Sequence, residues 1–335
     1  MATELSAPAV EADFQLSRGM VFPLVGGRRT WSQEHLLPII ATILVSLGMM
    51  VVLHPGAQPT GSDQIQQAWV IYWIIALYIA LMINVYIYNM CERAAPWWLF
   101  VGVTACTFLL LESPVWQYWY ALFNHVIPSL QWHKSPYYGV QLAGWYFVGL
   151  CEEGFKALPL FALILLGAGL AFLARHAPGR LGAVLAGLAK RVRVSGPLNG
   201  IILGVASGTG FFLDETLEQY VPEAMNTAKD TGSQAFTGLV DLLARGLPTL
   251  TGHCAYSGLF GYFIGLSVLR PKMAIYLLPI GYLSAAALHG AWDAADTVSQ
   301  NGFVVLGLYL FLALLSYALL GGAMFKAREI PLVRA

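Results

Sequence analysis

Hydrophobic positions along the chain gather into long runs separated by short polar loops, and eight of these runs approach or exceed the roughly 20 residues that cross about 30 Å of hydrocarbon. They fall at 36–53, 67–90, 97–113, 138–174, 197–215, 250–269, 273–295 and 303–325. The pattern predicts an all-α, polytopic membrane helix bundle of about eight transmembrane helices over 36–325. An N-terminal segment, 1–35, precedes it and a short tail, 326–335, follows. The third run is short and Glu112-Ser113-Pro114 ends it, although aromatic residues continue to Phe123. The fourth is longer than a bilayer is thick and contains Pro159. It should be kinked, tilted or extended into the interface.

Composition agrees: 58% of residues are hydrophobic, 11% are charged and the formal net charge is zero. Soluble domains carry about 25% charged residues. A neutral chain gives no sign of a nucleic-acid partner, and its charges inform only by position. Arg28, Arg29, Arg93, Arg175, Arg180, Lys190, Arg191, Arg193, Arg270, Lys272 and Lys326 fall in alternate loops, while the opposite loops hold little more than Lys134, Lys229 and Arg245, alongside acids such as Glu218, Glu223 and Asp230. By the positive-inside rule both termini are cytoplasmic. The aromatic stretch 112–137, with Trp116, Tyr118, Trp119 and Trp132, reads first as an outer interfacial belt and second as a substrate-facing segment. Met1 to Phe14 lacks the basic and apolar regions of a cleaved signal peptide. Cys91, Cys106, Cys151 and Cys254 have no CxxC spacing, so buried free thiols are expected rather than a disulfide framework.

Polar residues inside the spans carry the chemistry. Glu152 and Glu153 stand side by side in one of the most apolar stretches. Each carboxylate near a bilayer centre costs roughly 2.5–3.5 kcal/mol on insertion scales, so such residues usually face a bundle interior and serve a function. A plain helix ion pair between Glu152 and Lys156, four residues apart, is the simpler alternative. It would leave Glu153, about 100° further round the helix, without a partner. Span five ends at Glu215 after a series of small residues that permit close helix packing. Span six places His253 near its start, and span seven closes with His289 and Asp293, which share a helix face so that the aspartate can orient the imidazole. All of these fall in the outer half of the membrane, and independent structural histidines have no reason to share a depth.

Glu152-Glu153-Gly154-Phe155-Lys156 matches EExxK, Phe211 to Glu215 matches FxxxE, and His289 to Asp293 matches HxxxD. With His253 in span six, this ordered set resembles that of the PrsW family of intramembrane proteases, related to the group that contains the CAAX-prenyl endopeptidases. The resemblance covers about 138–295, the expected protease core. It implies a glutamate-dependent endopeptidase in a bacterial cytoplasmic membrane, of the kind that cleaves single-span anti-sigma factors. Carried over, it points to Glu152, Glu153, Lys156, Glu215, His253, His289 and Asp293. The surroundings Cys151 and Gly154-Phe155 are less typical of the motif.

Amide hydrolysis needs a base for water, an acid for the leaving amine and stabilisation of the oxyanion. Glu152 or Glu153 would be the base. His253 and His289 would donate to the oxyanion or leaving nitrogen, Lys156 would offset negative charge, and Glu215 would hold the water or a histidine. No cofactor is expected on this reading. The alternative is a zinc site at Glu152, Glu153, His253 and His289, although HExxH is absent. A thiol nucleophile at Cys254 is disfavoured because the adjacent His253 diverges from it. A transporter or proton channel would need polar residues across the whole membrane, whereas Leu160 to Leu166 and Ala274 to Leu283 are largely apolar. A non-catalytic scaffold retaining the same cavity is the last alternative. The expected partners are a membrane-protein substrate and the lipid bilayer.

Overall fold

The computed structural model describes residues 62–222, 235–299 and 301–330, and among these every regular element is helical. Nine α-helices follow in order: α1 Ser62–Met90, α2 Trp97–Leu111, α3 Pro114–Val126, α4 Tyr138–His176, α5 Gly179–Val192, α6 Pro197–Asp214, α7 Ala235–Leu269, α8 Ala274–Asp293 and α9 Gly302–Glu329. Among the described residues three segments are long and apolar enough to cross a membrane, Tyr138–His176, Pro271–Asp293 and Gly302–Glu329, and the number rises to five if each of two bent helix pairs forms one span. The expected span at 36–53 and the segment 1–35 lie outside the described residues.

Local sequence explains the breaks. Ser113 caps α3 by accepting from Val115 N at 3.2 Å, and Pro114 occupies the first helical position, where its missing N–H costs nothing. The chain therefore turns by 69° between α2 and α3, and the aromatic stretch becomes a short helix. Pro159 does not interrupt α4, which stays helical for 39 residues. At 1.5 Å per residue that is about 58 Å, well beyond the hydrocarbon thickness. α9 runs through Glu329, so Lys326 and Arg328 lie in its last turn. Arg328 donates to Met90 O and faces Glu92 at 3.6 Å, tying this end of α9 to the end of α1.

α6 is the axis of the bundle, with nearly every residue buried. Thr104 on α2 donates to Ala206 O at 3.0 Å, and Ser207 on α6 donates to Lys156 O on α4 at 2.6 Å. These bonds fix the register of three helices with few charged groups. Past Asp214 the helix widens into a π-turn, Glu215–Tyr220, an uncommon form frequent at functional sites.

Candidate active site

Two seams of small residues set the site. On α6, Gly200, Gly204 and Gly208 recur every four residues and face α7, where a Cβ would overlap Gly261 O, Ser257 O and His253 O respectively. The backbones approach closely only because no side chain intervenes, and the seam delivers His253 to the end of α6. On the other side, a Cβ at Gly149 of α4 would meet Ala286 O at 2.5 Å, and one at Gly290 of α8 would meet Trp145 O at 2.7 Å. Tyr282 Oη also donates to Leu150 O at 2.5 Å. This second seam sets His289 against the glutamate pair one turn further along α4.

The polar side chains then meet directly. Lys156 Nζ lies 2.8 Å from Glu153 Oε1, 2.7 Å from His253 Nδ1 and 3.5 Å from His289 Nδ1. It also stands 3.9 Å above the Phe211 ring, a cation–π contact. An ammonium only donates, so His253 Nδ1 accepts and its Nε2–H donates to Glu215 Oε2 at 2.9 Å. His289 Nδ1 is 2.9 Å from Glu153 Oε1, and Ser257 donates to Glu153 Oε2 at 3.0 Å. His289 Nε2 faces Glu152 Oε2 at 3.3 Å and Asp293 Oδ2 at 3.5 Å. Tyr256 stacks on the His289 ring with centroids 5.4 Å apart.

Burial divides the site into a sealed part and a mouth. The side chains of Glu153, Lys156, His253 and His289 are buried, whereas those of Glu152, Glu215 and Asp293 are 17%, 17% and 21% exposed. Glu153 is held by three side chains. Glu152 Oε2 makes no hydrogen bond, although His289 Nε2 is near. On the far side of the Glu153–Lys156 pair, the space between Leu160, Gly204, Phe260 and Ile264 is too narrow for a water molecule. The polar cluster thus ends at Lys156.

A metal would have to compete for this position. Glu153, His253 and His289 offer ligand atoms within 4.8 Å of one another, the only such group of three among the described residues. Two histidines and a glutamate form a familiar zinc donor set, with bonds of about 2.0–2.2 Å. An ion at that range from Glu153 Oε1, His253 Nδ1 and His289 Nδ1 needs the space that Lys156 Nζ fills. As the side chains stand, the residues do not accommodate both cations.

All seven residues singled out in the sequence are brought together. The simpler alternative, a plain helix pair of Lys156 with Glu152 that leaves Glu153 alone, is not what forms. Instead Glu152 Oε2 is 3.8 Å from Nζ, and Glu153 has the 2.8 Å contact. Residues three apart are also neighbours on a helix, and His253 and Phe211 draw the ammonium inward to the side where Glu153 points. Ser257, Tyr256 and Ser207 were not foreseen. Ser257 lies four residues after His253, on the same face of α7, and that spacing was the available signal. The aromatic stretch is only partly a belt: Tyr118 is exposed, but Trp119 Nε1 donates to Cys151 O at 2.9 Å and Trp116 packs edge-on against Phe155.

The family model described as PrsW family intramembrane metalloprotease matches residues 95–320, more than half of the chain and all seven site residues. Neither a curated protein nor a solved structure matches it.

Proposed function

The chain belongs to the PrsW family of intramembrane proteases, and we propose that it cleaves a single-span membrane protein with a water molecule activated by Glu152. The observation that carries this reading is the contrast between the two glutamates: Glu153 is sealed and triply bonded, whereas the Glu152 side chain is 17% exposed at the mouth and its inner oxygen, Oε2, faces His289 without a hydrogen bond. A base must meet water and keep a lone pair free for its proton. Glu152 takes that proton as the water oxygen adds to the peptide carbonyl. His289 Nε2, 3.3 Å away, passes it to the oxyanion or the leaving nitrogen. Asp293 steadies the outer edge of the imidazole. Glu153 holds its inner edge by accepting from Nδ1–H, and Lys156 offsets part of the carboxylate charge. His253 links Lys156 to Glu215, since both of its ring nitrogens are engaged.

No metal takes part in this scheme. The competing reading, zinc on Glu153, His253 and His289 with Glu152 nearby, is favoured by the 4.8 Å cluster and requires Lys156 to move away. The dead end below Lys156 supports a reaction chamber over an ion conduit. The surrounding frame is an eight-span protein of a bacterial cytoplasmic membrane with both termini inside, supported by the alternation of basic and acidic loops. The test compares membrane proteomes of cells carrying the intact chain or Glu152→Gln. A membrane-protein stub should appear only with the intact chain and persist under strong chelation. Identical proteomes would remove the protease reading of this site, and loss of the stub on chelation would favour the metal.

A further inference from the structure

The opposite end of α6 carries a second cluster of polar side chains. Asn199 and Glu215 are separated by about 24 Å along the helix axis, at 1.5 Å per residue, so this end lies well away from the carboxylates. A cavity of about 470 Å³ opens here, lined by Pro96, Lys190, Arg191, Arg193, Ser195 and Asn199 among others, with no acidic side chain among the described residues of its wall. Its floor is wired: Asn199 Oδ1 accepts from Ser195 N at 3.2 Å, and Nδ2 donates to Ala94 O at 3.0 Å. Gly196, the residue before the first turn of α6, offers no side chain to cap the helix. The positive end of an 18-residue helix therefore adds to three basic side chains.

The helix that supplies the basic residues is built for an interface. α5 bends by 72° into α6. Gly182, Ala189 and Val192 of α5 face the bundle, while Leu181, Val184 and Leu188 are exposed along another face at helical spacing. Gly167 of α4 lets the end of α5 dock, because a Cβ there would meet Arg193 Cβ at 2.7 Å. An apolar stripe beside a cationic cavity matches the two halves of an anionic phospholipid, acyl chains against the leucines and phosphate among the arginines.

We propose that this cavity is a binding site for the headgroup of an anionic phospholipid, seated between α5 and the start of α6. The occupant is committed to lipid rather than free phosphate because the exposed Leu181, Val184 and Leu188 continue the site into an apolar surface.

The test uses the full chain in phosphatidylcholine nanodiscs, with phosphatidylglycerol as the probe and native mass spectrometry reading retained lipid. Phosphatidylglycerol should be retained in preference to phosphatidylcholine. Arg191→Gln with Arg193→Gln should lower that preference roughly 25-fold, at about fivefold per basic residue. Arg175→Gln with Arg180→Gln, exposed basic residues outside the cavity wall, should change it less than twofold. Thermal unfolding of both double variants in phosphatidylcholine should match the parent. Equal losses from the two pairs would reduce the cavity to a general basic surface and overturn the site. So would the absence of a preference for phosphatidylglycerol. Displacement of the lipid by soluble glycerol phosphate at equal concentration would overturn the commitment to lipid.

Discussion

Glu153→Ala should harm the fold and Glu152→Gln should harm only the reaction, a separation that follows from their contacts. Removing the Glu153 carboxylate takes away the 2.8 Å partner of Lys156, the 2.9 Å partner of His289 and the acceptor of Ser257. Lys156 would keep only Glu152 at 3.8 Å as a charge partner. Breaking a buried ion pair from one side costs about 3–5 kcal/mol because a charge is left uncompensated, against a total stability of about 5–15 kcal/mol. Deleting both partners is different, since apolar replacement of a whole buried pair is often nearly neutral. Glu153→Ala with Lys156→Met should therefore recover most of the loss while remaining inactive. Glu152→Gln removes no hydrogen bond from the bundle, so stability should stay within about 0.5 kcal/mol. Turnover should fall by about 10²–10⁴, the usual worth of a general base. Thermal unfolding in detergent micelles and cleavage of a reporter substrate, measured on Glu153→Ala, Lys156→Met, their double variant and Glu152→Gln together, decide the matter. A Glu153→Ala protein as stable as the parent, or a double variant worse than either single one, would refute the charge argument.

Asp293→Asn and His289→Ala should each leave the protein inserted and lower cleavage about 10²–10⁴-fold, with the double variant little worse than either because residues acting as a unit are non-additive; near-normal turnover in Asp293→Asn would retire the pairing. Gly208→Ala should push α6 from α7 at His253 O and cost about 1–3 kcal/mol by overpacking, together with activity, whereas Gly302→Ala, whose Cβ meets nothing within 4 Å, should do neither. Lys156→Met should allow zinc to bind among Glu153, His253 and His289, read as metal content after dialysis, while the parent stays metal-free under the same conditions; zinc in the parent at one per chain would show that the ammonium yields to the ion.

The parts of this architecture set by local pattern were readable in the sequence, and the parts set by competition between neighbours were not. Apolar runs marked α4 and α9 because lipid demands length and hydropathy, and both are printed residue by residue. Pro114 after Ser113 marked the break after α2 for the same local reason. The residues of the site could be gathered because each is an intramembrane polar group, which is costly enough to be informative alone. Which glutamate holds Lys156 was beyond reach, since positions three and four apart are both neighbours on a helix. The choice is made by His253 and Phe211, which arrive from α7 and α6. The glycines at 200, 204 and 208 showed that α6 packs tightly but not against what. Only the partner, α7, explains why the seam matters: it brings a buried imidazole to 2.7 Å from the ammonium. The same contact turns a donor set that reads as zinc-like in sequence into one whose centre already holds a cation.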